Sequence, residues 1–142
     1  MIRAREVIGR ADASWGRMDR ACRSLCAAVL LLGEIPREAA LILVTRVGCA
    51  ETDRDFERAR LAGEIDPQRF AYTLPTTPIG EASIRAGITG PGFAILGASE
   101  QQVSTCIAGL ITEGIDDVIV GHVDCDAPPH QARAEWWRAS RD

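Results

Sequence analysis

FAYTLPTTPIGEASIRAGITGPGFAILGAS, residues 70–99, is the stretch on which the fold turns. Its loop is set by Pro75 and Pro78, and Pro67 lies just upstream. Asp66 to Pro78 therefore reads as a Pro-rich loop, longer than a compact domain usually keeps without a use. Ile79 to Ala86 has the pattern of a short helix, which Gly87 would end. Gly90-Pro91-Gly92 is a turn signal. Phe93 to Leu96 is an uninterrupted apolar run, the pattern of a strand. Gly97-Ala98-Ser99 then passes into a helix. Ser99 is a strong N-cap residue, and Val103, Cys106, Ile107, Leu110 and Ile111 follow with a period of 3.6. Gly114 is placed to end that helix.

Working outward, Asp117 to Val123 reads as another strand. Upstream, the continuous apolar run Ala40 to Thr45 has the character of a buried parallel strand. Thr52 is a plausible N-cap for a helix from Asp53 to Ala62, with Gly63 after it. Met18 to Leu32 begins amphipathic and becomes apolar all round, so it predicts a helix that starts at the surface and ends buried, stopped by Gly33 and Pro36. Residues 1–15 are mixed and polar and are expected to be partly irregular. Residues 16–125 form the domain, and 126–142 a polar C-terminal tail, with Trp136 and Trp137 on a tail helix that docks on the domain or on a partner. Strands alternating with helices give an α/β class: a mostly parallel sheet flanked by helices.

The composition is that of an ordinary soluble chain of 142 residues, 46% hydrophobic and 25% charged. The net charge of -4 argues against a nucleic-acid or anionic-membrane partner. Every basic side chain is Arg, so Schiff-base and Lys-acid chemistry are excluded. The five cysteines are irregularly spaced and read as small buried hydrophobes of a reducing cytoplasm. The opening MIRAREVIGRADASWGR lacks the apolar core of a secretory leader, and the longest apolar run, Cys26 to Leu32, is too short to span a bilayer.

The order Pro-rich loop, short helix, GITGP turn, apolar strand, Ser99 turn, amphipathic helix and GIDDVIVGHVD resembles the β-ketoacyl synthases of the thiolase-like superfamily, over roughly residues 16–124. Gly16-Arg-Met-Asp-Arg20 with the apolar helix after it is similar to the start of that family's N-terminal half. FAYTLPTTPIGEASI is closest to the divergent synthase-like domains of aryl-polyene or chain-length-factor systems. The resemblance implies a thiolase-like half domain in which Ser99 stands where the family has its nucleophilic Cys. The family's two catalytic histidines belong to a C-terminal half beyond this sequence, and the strand that usually opens the N-terminal half has no clear counterpart. The implied function is a non-catalytic synthase-like subunit of fatty-acid or polyketide-type biosynthesis. It would pair through Phe93, Ala94, Ile95 and Leu96, as a homodimer or with a catalytic ketosynthase, and an acyl carrier protein is a further partner. Thr76, Thr77, Ser99 and His122 are the binding candidates.

A helix N-terminus favours a thiolate and an oxyanion, but a serine there needs a base. An alternative is therefore a small acyl hydrolase or transferase, or an acyl-thioester-binding protein, using Ser99 with His122. Gly97-Ala98-Ser99 matches the first part of the G-x-S-x-G elbow, yet Gln101 replaces the second Gly. No cofactor is expected. His122-Val-Asp124-Cys125-Asp126 lacks a second ligand pair at metal spacing and reads as a polar loop rather than a metal site.

Overall fold

Ala40–Thr45 forms β1, the centre of the molecule, in a computed structural model that describes residues 13–125 and 128–140. On one side β1 pairs in parallel with β2, Gly92–Leu96, and on the other with β3, Asp117–Asp124. β4, Gln131–Arg138, runs antiparallel along the whole of β3, so the strand order is β2-β1-β3-β4. A strand with neighbours on both edges and helices on both faces has no side for polar residues, and the unbroken apolar run of β1 follows from that.

The helices among the described residues are α1 (Ala13–Arg17), α2 (Arg20–Leu30), α3 (Ala50–Leu61), α4 (Pro67–Ala71), α5 (Thr77–Ala86) and α6 (Glu100–Thr112). Side chains alternate across the strands. Leu41, Leu43, Ile119 and Val123 face one way and pack against Trp15, Leu25, Val29 and Ile79, from α1, α2 and α5. Ile42, Val118 and Val120 face the other way, against Val103 and Ile107 of α6. Among the described residues, one face thus has several helices over it and the other has α6. Two glycines make the packing possible. A Cβ at Gly121 would stand 2.2 Å from Leu25 Cδ1, so α2 lies directly on the backbone of β3. A Cβ at Gly90 would stand 2.2 Å from the carbonyl oxygen of Ala39, where the turn into β2 crosses the start of β1.

The sheet, its parallel core and the helices around it are as the sequence implies. Other features differ. The tail contributes a strand, not a helix. Pairing with β3 overrides its weak helical pattern, and strand alternation sends the adjacent indoles to opposite faces. Trp136 packs against the α2–α5 core and donates Nε1–H to Asp117 Oδ1 at 2.7 Å, while Trp137 is exposed. Trp15, in the segment expected to be irregular, is buried in the core; residues 1–12 lie outside the described residues. α3 begins at Ala50, so Thr52 is not its cap. The Thr52 hydroxyl instead donates to Asp19 Oδ2 at 2.6 Å. The Pro-rich loop contains α4, which Asp66 caps by accepting from the N–H groups of Gln68 and Arg69.

Candidate functional site

All three parallel strands end at one edge of the sheet, where open α/β folds place their ligands. β2 leads through Gly97 and Ala98 to Ser99. There the backbone is extended, with φ −73° and ψ 161°, and the chain turns into α6. The Ser99 hydroxyl accepts from Gln102 N–H at 3.2 Å, and the Gln102 side chain accepts from Ser99 N–H at 2.8 Å. This reciprocal pair is a capping box, the helix-starting role that the sequence expects of Ser99.

His122 lies two strands away, beyond β1, on the α6 side of β3. It lines a cavity of about 410 Å³ whose apolar part includes Val44, Ala98, Val103, Ile107 and Trp137. Ala98 and Glu100 contribute to this cavity, but Ser99 does not. Burial, and secondarily Arg133, lower the pKa of His122, against the opposing pull of Glu135, Asp124 and Glu100. Its Nε2 is 4.0 Å from Glu135 Oε1, and Glu135 is itself paired with Arg133. His122 is therefore a neutral, half-buried imidazole near neutral pH. Thr76 and Thr77 are elsewhere, at the start of α5. Thr76 is exposed and makes no side-chain cap bond, and Thr77 donates Oγ1–H to the Ala71 carbonyl at 2.5 Å. The four binding candidates do not converge on one cavity.

The strongest polar constellation at this edge was not anticipated from the sequence. Asp124 is the last residue of β3 and only 1% exposed, not part of a loop. Its Oδ1 accepts from Thr45 Oγ1–H at 3.1 Å and from Arg46 N–H at 2.8 Å. Its Oδ2 accepts from Arg46 Nε–H at 2.9 Å and Gln131 Nε2–H at 2.7 Å. The remaining Arg46 nitrogens donate to the carbonyls of Pro128 and Pro129 at 3.2 and 3.0 Å. Burial, the largest influence, pushes the Asp124 carboxyl up, but these hydrogen bonds together hold it below its ordinary value. The clasp fastens β1 and β3 to the chain that leads into β4. The available signal was position: a charged residue directly after one parallel strand and another at the end of the next.

A wider cleft of about 720 Å³ separates α1 and the start of α2 from α3 and α4. Its lining mixes Arg17, Arg23, Arg58 and Arg69 with Asp19, Asp55, Glu64 and Asp66, so it carries no net preference for an anion or a cation. None of the five cysteines is held in a disulfide. Burial pushes Cys22 far up and Cys26 up to about 12, so both are inert protonated packing groups.

Two solved structures share this architecture. A ketosynthase (ApeO) in complex with its chain length factor (ApeC), from Xenorhabdus doucetiae, superposes with a TM-score of 0.69 at 19% identity, over 85% of this chain. The fold is ketosynthase-like. The ishigamide ketosynthase/chain length factor matches it with a TM-score of 0.70 at 18% identity, over 89% of this chain. At these identities the likeness is one of fold. This chain spans 52% of the length of the first ketosynthase-like neighbour and 39% of the second. No protein-family model matches the sequence, and no curated protein matches it. Among the described residues, no helix is long and apolar enough to cross a membrane.

Proposed function

We propose that this chain is a ketosynthase-like subunit that does not condense acyl groups and acts by strand pairing. The partner is a second copy or a catalytic ketosynthase, in a fatty-acid or polyketide-type pathway, with an acyl carrier protein as a further partner. The observation that carries this reading is β2. It is an edge strand with the sequence GFAIL, half-exposed and without a charge. Leu41 N–H donates to the Pro91 carbonyl and Gly97 N–H to the Thr45 carbonyl. In a parallel ladder these bonds turn the odd-numbered residues of 91–97 toward β1. The N–H groups of Ala94 and Leu96 then point away from the sheet, as a template for another strand. Two structural neighbours, a ketosynthase with its chain length factor and a ketosynthase/chain length factor, are themselves paired proteins. The Ser99 capping box supports the non-condensing part, since the hydroxyl at the helix head serves the backbone.

Light scattering over a dilution series tests it. Proline is tolerated where an edge-strand N–H faces outward, so Ala94→Pro removes a pairing donor while sparing the bonds to β1. The expected result is a wild-type dimer and a folded Ala94→Pro monomer. A wild-type monomer at every concentration overturns the pairing. Labelling of Ser99 by a serine-directed phosphonate overturns the capping role and favours the acyl-hydrolase alternative.

A further inference from the structure

The cavity of about 410 Å³ beside His122 is a groove with two unlike ends. α6 forms one wall through Glu100, Val103 and Ile107, and β4 the other through Arg133, Glu135 and Trp137. β4 runs antiparallel to β3, with Arg133 opposite His122 and Trp137 opposite Val118. Those two pairs are four residues apart, about 13 Å of strand. The charged groups gather at the His122 end: Glu135 lies 4.0 Å from His122 Nε2, and Glu100 is close enough to act on the imidazole's charge. α6 runs back from that end, carrying Val103 and Ile107 along the groove toward Trp137. The volume is that of a small-molecule site.

Two side chains of this groove are left open. Asp124 is paired with Arg46 and Glu135 with Arg133, but the Glu100 carboxylate enters no ion pair or hydrogen bond among the described residues. With His122 neutral, Glu100, Asp124 and Glu135 against Arg46 and Arg133 leave a single negative charge. The head of α6 would otherwise favour an anion. Here the Ser99–Gln102 capping box already uses two of its N–H groups. Trp137 is the second open group. Arg85 lies over the Trp15 ring at 5.4 Å and Arg138 over the Trp136 ring at 4.7 Å. The Trp137 ring, 46% exposed, has no arginine over it among the described residues. The groove therefore offers an unpaired carboxylate at one end and an uncovered indole at the other.

We propose that this groove binds a small organic ammonium ion with an elongated apolar body. The head sits between Glu100 and His122, whose neutral imidazole has a nitrogen able to accept an N–H. The body lies along Val103 and Ile107 and ends on the Trp137 ring. The site uses neither the β2 edge nor a second chain, so it goes beyond the pairing reading and fails or survives separately. Calorimetric titration of the full chain with n-octylammonium tests it, against octanoate as a probe of equal length and opposite charge. n-Octylammonium is expected to bind saturably and at least about tenfold more tightly than octanoate. Glu100→Gln and Trp137→Ala, with thermal melts confirming folding, are each expected to weaken it about tenfold. Ser104→Arg, which adds a cation to the α6 wall, is expected to weaken it as well and serves if either of the others fails to fold. The absence of saturable binding overturns the site. So does octanoate binding as tightly, or undiminished n-octylammonium binding in any one of the folded variants.

Discussion

The sheet has two outer edges, and they are built differently. β4 is eight residues long and carries Arg133, Glu135 and Arg138, with the half-exposed Ala134 and Trp136 turned to the core. Asp117 fastens it by accepting from Trp136 Nε1–H at 2.7 Å and from Arg138 Nε–H at 2.9 Å. β2 is five residues long and has no charge and no side-chain hydrogen bond of its own among the described residues. Charged residues are how natural sheets keep an edge from recruiting other strands. β4 has that protection and β2 does not, and the proposed pairing uses the unprotected edge.

Changes at four positions sharpen or break this contrast. The largest effect belongs to Asp124, which joins the ends of β1 and β3 to the chain entering β4. Asp124→Ala leaves the buried Thr45 hydroxyl and the half-exposed Arg46 without their acceptor, at a cost of about 2 kcal/mol or more. Because the Asp124 pKa is lowered in the fold, its contribution is present above the unfolded carboxyl value, about 3.9, and is lost as pH falls through the lower folded value. Urea melts from pH 7 to 3 should show an acid limb that Asp124→Asn flattens. His122, also lowered, adds an earlier loss that starts near its unfolded pKa, about 6.5. An unchanged acid limb in Asp124→Asn removes the clasp from the account.

Asp117→Ala should cost about 1–2 kcal/mol and expose β4, seen as faster amide exchange in residues 131–138 with β2 unaffected. Ser99→Ala should cost about 1 kcal/mol, the usual loss for a Ser cap, measured by thermal denaturation. A much larger loss would give Ser99 a role beyond starting α6. The smallest effect is Ala132→Lys on the already charged β4 edge. It should leave stability within about 0.5 kcal/mol and the oligomeric state unchanged in light scattering. If that single lysine splits the oligomer, β4 is the pairing edge and the contrast is reversed.

What could be read from the residues depended on range. Ala40–Thr45, Phe93–Leu96 and the Ser99 helix start rest on local pattern and capping chemistry, and all three stand in the structure. The β2 edge follows once β1 is recognised as a central strand. RAEWWR is the exception to range: its partner β3 lies only a few residues upstream, but the segment has no strand alternation of its own and takes strand geometry from pairing with β3. Trp15 looked polar by neighbourhood, but one indole suffices to anchor a short helix to the core. The Arg46–Asp124 clasp joins residues 78 apart, and no local pattern announces such a pair. The same holds for the placement of the binding candidates: local pattern treats Thr76, Thr77, Ser99 and His122 alike, and the fold sets them apart, with His122 lining the cavity that Ser99 does not and Thr76 and Thr77 at the start of α5.

The most direct test of the central claim is amide exchange at Ala94 and Leu96, whose N–H groups face away from β1. The account predicts that both are protected at concentrations where the chain is paired and lose protection on dilution, while the N–H groups of β1 stay protected throughout. Ala94 and Leu96 exchanging freely at all concentrations would contradict it, and would leave β2 a bare edge with no partner.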